Sequence, residues 1–176
     1  MKKISTILGG LALMLSGCSH MNVEDYAPNT PKLDIRQYMN GPLEAWGILY
    51  DMTGKADLRF YATMKGSWNA NEGILEEDFV YSDGRKDHRV WKIQFADDHH
   101  FTATAGDVIG QATGKQFGNV ANLKYVLNAK RDNGKTIHLN MDDWLYLMDD
   151  KTIINRIKMK KFGLTVGELV VTFRKP

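Results

Sequence analysis

Four residues stand where their types do not belong. Glu77, Arg89, Asp143 and Asn155 each interrupt a run in which every second side chain is apolar. A charged or amide group on an apolar face is costly to bury without a partner, so such residues either pair in the interior or meet a ligand. Glu77 and Arg89 flank the turn Ser82 to Lys86 and fall about opposite each other across a hairpin, within pairing reach. Taken structurally, they are an ion pair closing one end of a core. Taken as a site, they and Asp143 and Asn155 are the few polar anchors of an otherwise apolar pocket, the usual make-up of a small-molecule site.

Other chemistries fit less well. The doublets Glu77-Asp78 and Asp142-Asp143 look like the paired carboxylates of a glycosidase, but neighbouring strand residues point to opposite faces, so neither doublet faces one bond. His99-His100 is the only close pair among the histidines at 20, 88, 99, 100 and 138, and no further ligand stands at metal spacing. Gly106, Gly110, Gly114 and Gly118 repeat every fourth residue, yet the stretch lacks the endings and context of phosphate loops. Bulged or bent strands account for those glycines. No serine elbow or Ser-His-Asp arrangement is visible. The expectation is therefore no catalytic residue, no metal and no cofactor, with a lipid-modifying or cell-wall enzyme resting only on the inward charges.

Cys18 is the single cysteine, so no internal disulfide can form. It follows Lys2 and Lys3, an apolar stretch from Ile4 to Leu15, and the small residues Ser16 and Gly17, the order of a secretory signal. That stretch is shorter than the ~20 residues a span needs. Leu15-Ser16-Gly17-Cys18 resembles the lipobox of bacterial lipoproteins, which implies a signal peptide over residues 1–17 and lipidation, with palmitate-like acyl chains, at Cys18. Two or more chains hold a protein stably on a membrane. Ser19, rather than an aspartate, follows Cys18, which points to the periplasmic face of the outer membrane. Lys2 and Lys3 also account for the whole formal net charge of +2, so the processed chain is neutral and nucleic acid is not an expected partner.

The elements that must position these groups are strands. Residues 18–32 read as a lipidated cysteine and tether, polar and ending in Pro28 and Pro31. A short helical turn follows, capped by Asp34, with Ile35, Tyr38 and Met39 on one side and Asn40-Gly41-Pro42 as its stop. From Leu43 onward the period is two. Leu58, Phe60, Ala62 and Met64 share a face; so do Trp91, Ile93 and Phe95; so do Leu123, Tyr125 and Leu127; so do Leu169, Val171 and Phe173. Ser82-Asp83-Gly84 and Asp132-Asn133-Gly134 supply hairpin turns. Nine or ten such strands, each with one apolar face, must close or stack to hide edges, and a small all-β antiparallel barrel over residues 33–176 is expected, filled or holding one small ligand. Trp46, Trp68, Trp91 and Trp144 are expected in the core. Arg156, Lys158, Lys160 and Lys161 read as a solvated strand face, or as a patch against anionic lipid.

The strings Asn40 to Gly47, Glu76 to Gly84 and Asp142-Asp143-Trp144, with Asn155-Arg156 and Lys161-Phe162-Gly163, resemble the domain-of-unknown-function 3833 family of Gram-negative envelope lipoproteins. The resemblance runs from about Leu33 to the end. It implies a calycin-like, lipocalin-like barrel and carries over no site residue. Two function classes follow: a lipid-anchored barrel that holds or hands over an apolar molecule, with Glu77 and Arg89 near its mouth, or a filled barrel acting as an envelope scaffold for a protein partner.

Overall fold

The computed structural model describes residues 21–131 and 134–176; the lipidation expected at Cys18 lies outside them. A 3-10 turn, Val23–Tyr26, and a single-turn helix α1, Ile35–Tyr38, precede ten strands. These are β1 Gly41–Asp51, β2 Ala56–Asn69, β3 Glu72–Tyr81, β4 Lys86–Phe95, β5 His100–Thr104, β6 Val108–Phe117, β7 Val120–Lys130, β8 Thr136–Leu147, β9 Thr152–Lys161 and β10 Leu164–Arg174. Each pairs antiparallel with its sequence neighbours, and β10 returns to β1 to close the barrel. Closure leaves no free edge.

Turn chemistry sets the hairpins. At β3–β4 the Tyr81 carbonyl accepts from Gly84 N at 3.0 Å and Tyr81 N donates to Arg85 O at 2.9 Å, with Gly84 at φ +87°. Three-residue loops of this kind end on a residue at positive φ, which glycine adopts without steric cost. The expected bend in the glycine-rich segment is real: the β6–β7 register shifts between Ile109 and Thr113, beside Gly110 at φ +70°.

One end of the barrel is plugged. Asp34 caps α1 by accepting from Arg36 N at 2.9 Å, and Ile35, Tyr38 and Met39 are buried, as the sequence pattern predicts. Burying each apolar side chain contributes about 1.5–3 kcal/mol. Polar bonds then tie the plug to the loops around that end. Tyr38 Oη donates to Lys151 O at 2.8 Å and Phe173 O at 3.2 Å, Ile35 N donates to Gln116 Oε1 at 3.0 Å, and Arg36 reaches Asp98 at 3.1 Å.

The segment expected to be a tether lies against the barrel at Val23 and Tyr26, with residues 27–32 exposed before Leu33 is buried. Val23 is buried with Val120 and Trp144, and Tyr26 packs at 6.3 Å from the Trp144 ring and 6.1 Å from Tyr146. Leu33 N donates to Gly118 O at 2.7 Å. A side chain at Gly118 would meet Tyr26 O, so this strap requires glycine there. It escaped the sequence reading because its anchors, Val23, Tyr26 and Leu33, are spaced without helix or strand period in a polar run. Two tryptophans also depart from expectation. Trp46 points outward and is 44% exposed, its ring tilted against Tyr61 at 5.6 Å, while Trp144 is buried outside the barrel wall, under the strap.

Candidate functional site

The inward faces form a graded interior. Near the plug it is filled by rings: Phe95 stacks on Phe101 at 4.9 Å, and Trp68 meets Phe95 edge-on at 6.0 Å. Midway, Trp91 packs edge-on to Tyr125 at 5.4 Å. Toward the end formed by the β1–β2, β3–β4, β7–β8 and β9–β10 turns, the inward residues Leu58, Phe60, Phe79, Leu127, Ile137 and Met159 are only half-buried. The barrel thus has one plugged end, its floor, and, opposite it, an end, its mouth, lined by half-buried apolar side chains.

Between floor and mouth lie the four residues singled out from the sequence. Glu77 and Arg89 are direct cross-strand partners, and Arg89 Nε donates to Glu77 Oε2 at 2.6 Å. The Arg89 guanidinium also lies 3.5 Å from Asp107 Oδ2 and over the rings of Phe79 at 5.4 Å and Trp91 at 5.3 Å. Its burial opposes the charge, but the fields of Glu77, Tyr125 and Asp107 outweigh that and hold its pKa above the usual arginine value. Charge-assisted bonds of this geometry are the strong ones.

Asp143 and Asn155 make a second pair. Asn155 Nδ2 donates to Asp143 Oδ1 and, at 3.0 Å, to Trp144 O. Asp143 is buried, and burial pushes its pKa up to about 7; the Asn155 bond and the Arg89 charge pull down, while Glu77 and Asp142 push up. The acidic doublets do split between faces as strand geometry requires. Asp78 faces out and meets His88 Nδ1 at 2.7 Å. Asp142 also faces out, where bonds from Asn122, Lys160 and Trp144 overcome partial burial and lower its pKa.

Two members of the cluster were not singled out. Asp107 lies in the glycine-rich β5–β6 connection, where alternation breaks and no period assigns it a face; one of its oxygens, Oδ1, is buried without a protein partner. Tyr125 sits in an apolar stripe, so its hydroxyl gave no contrast, and burial raises its pKa far above the usual range. Among the described residues no cluster of metal-ligating side chains occurs. His99 Nδ1 bonds Gln116 O at 3.0 Å and the ring stacks on Phe117, while His100 pairs with Asp97.

Two hollows mark the outer wall. One, about 340 Å³, lies between the strap and β5–β8 and is bordered by Met21, His100, Lys115 and Trp144. The other, about 360 Å³, lies among Trp46, Arg59, Tyr61 and Tyr81. Neither touches the ionic cluster. The lumen has the convergent charged groups that make a site recognisable, so it is the candidate.

Comparison with solved structures places this architecture among calycin-like barrels. The S-type phycobiliprotein lyase CPES from Guillardia theta superposes with a TM-score of 0.56 at 5% identity, covering 81% of this chain and 91% of the lyase. Rv2717c from M. tuberculosis gives a TM-score of 0.57 at 10% identity, over 84% of this chain and 99% of that one. At such identities the likeness is one of fold. No curated protein matches the sequence. The family model described as protein of unknown function, DUF3833, matches residues 12–175. This chain, a closed ten-strand barrel with an inward-facing Glu77–Arg89–Asp107 cluster, belongs to the DUF3833 family.

Proposed function

We propose that the protein holds an apolar or amphiphilic small molecule, such as an acyl chain, in the upper half of its barrel, and does so as a lipoprotein anchored through Cys18 at the periplasmic face of the outer membrane. The observation that carries the ligand reading is the position of Arg89. Its side chain is 25% exposed while its cross-strand partner Glu77 is 6% exposed, and half-buried apolar side chains lie toward the mouth from both. A polar group of a ligand entering past Phe79 and Leu127 meets Arg89, Glu77 and the unpartnered Asp107 oxygen, while its apolar part lies against Leu58, Ile137 and Met159. The rings packed on the floor confine the ligand to the mouth half. The leader pattern ending at Cys18 and the Ser19 that follows support the location.

Filling the mouth tests this. Leu127 faces inward and is half-buried; Lys124, on the same strand, faces out. Titration with the neutral fluorescent probe N-phenyl-1-naphthylamine is expected to show saturable binding. Leu127→Trp should weaken it about tenfold, the equivalent of roughly 1.4 kcal/mol, while Lys124→Trp leaves it unchanged. Equal binding by both variants, or none by the parent, contradicts a lumenal site and favours a filled barrel that acts through its surface.

A further inference from the structure

We propose that the hairpin tips around the mouth form a docking surface for an anionic lipid bilayer, with Phe162, Leu164 and Met52 entering the head-group layer. This goes beyond the ligand reading and stands whether or not the lumen is occupied.

The first observation is the exposed apolar residues. Phe162 is 90%, Met52 75% and Leu164 72% exposed. They are not scattered: Phe162 and Leu164 belong to the β9–β10 tip and Met52 to the β1–β2 tip, and β10 pairs with β1, so the two tips are neighbours on the rim. Clustered exposed apolar groups mark interaction sites, whereas single ones need no explanation.

The second is the backbone at Phe162. Lys161 and Leu164 pair directly, so Phe162-Gly163 is a two-residue turn, and both residues have positive φ, +52° and +82°. Such a turn favours Asn-Gly or Gly-Gly, and a bulky aromatic at positive φ is strained there. Phe162 therefore costs the turn stability and buries almost none of its own surface. Neither packing nor turn chemistry accounts for it; insertion into an apolar medium does.

The third is charge. Among the described residues, the three consecutive rim segments around 51–57, 130–135 and 158–165 carry seven basic residues, Lys55, Lys130, Arg131, Lys135, Lys158, Lys160 and Lys161, of which Lys160 is paired with Asp142, against Asp51 and Asp57. Asp51 is engaged within its own turn, accepting from Thr53 and Lys55. Lys161 Nζ lies 4.9 Å from the Phe162 ring, so a cation and an apolar knob sit together, the arrangement of interfacial anchors. The loops of the plugged end carry Asp97, Asp98, Asp149 and Asp150 beside the cations Arg36, Lys151 and Lys175, with Arg36 paired to Asp98, and so lack the cationic excess of the mouth. The cationic end of the molecule is its mouth. Traced backwards from Gly118, the strap passes Lys115 and reaches a hollow shared by Met21, Thr113 and Lys124, climbing the wall toward that same end.

Every contact described above lies within residues 21–176, so the chain made from Ser19 onward keeps them all without leader or acyl group. Its co-sedimentation with vesicles of phosphatidylethanolamine and phosphatidylglycerol, against vesicles of phosphatidylcholine, measures the docking. Binding is expected to the anionic vesicles and to weaken as salt is raised. Lys55→Gln, Lys158→Gln and Lys161→Gln together should lower it on the order of a hundredfold, about fivefold for each lysine. Phe162→Asn should lower it about tenfold while keeping or raising the melting temperature, a split that a merely structural Phe162 would not produce. No binding, equal binding to both vesicle types, or binding undiminished by Phe162→Asn overturns the proposal.

Discussion

Arg89→Met is expected to destabilise the barrel by about 3–5 kcal/mol, the usual cost of removing one partner from a buried ion pair. The methionine occupies much of the vacated volume, so the loss comes from charge rather than from a cavity. Glu77, 6% exposed, and the Asp107 carboxylate both lose the guanidinium they share. The double variant Glu77→Gln, Arg89→Met should recover most of the loss, because it removes the stranded charge as well as the pair. Denaturant midpoints of the parent, the two single variants and the double variant measure this coupling. A loss below about 1 kcal/mol would mean that the pair behaves as a solvated surface bridge and that water reaches the whole cluster.

Asp143→Asn is expected to act in the opposite direction. The folded protein holds the Asp143 carboxyl at about 7, against 3.8 when unperturbed, so the folded state binds its proton more tightly than the unfolded chain. Stability from this group is full below pH 4, falls as pH rises toward 7 and levels off above. Three units correspond to about 4 kcal/mol. The amide cannot ionise, and its oxygen still accepts from Asn155. With about 1 kcal/mol lost to the new, poorly placed amide donor, Asp143→Asn should be more stable than the parent by about 3 kcal/mol at pH 8 and slightly less stable at pH 4. Unfolding curves at the two pH values decide it. An equal loss at both would show that Asp143 is ionised in the fold, held by the field of Arg89.

Much of this cluster is legible in the sequence because strands encode their faces with period two. Glu77, Arg89, Asp143 and Asn155 stood out as polar residues on apolar faces, and all four lie inside the barrel. The same parity places Trp46 and Trp144 outside, opposite to Ala45 and Asp143; treating every tryptophan as core ignored it. Asp107 was hidden because Gly106 and the bulge near Gly110 break the alternation on which such a reading depends. The plug was legible through local signals, the Asp34 cap and the apolar triplet Ile35, Tyr38 and Met39. The strap was not, since its contacts to Trp144 and Gly118 join residues 85 or more positions apart and its anchors Val23, Tyr26 and Leu33 are scattered through a polar run without a period. Phe162 stood in the sequence only as part of the string Lys161-Phe162-Gly163, because its positive φ and its exposure are properties of the folded turn.

On the proposed function, a ligand enters this barrel past the half-buried apolar side chains around Arg89, since the opposite end is packed with rings. The most direct test is to purify the protein from the envelope of the cells that make it, unfold it, and identify by mass spectrometry the small molecules released. A lumenal carrier should release one class of apolar or amphiphilic compound near one equivalent per chain, reduced about tenfold in Leu127→Trp. Repeated preparations that release no stoichiometric compound, or release the same amount from Leu127→Trp, would contradict it.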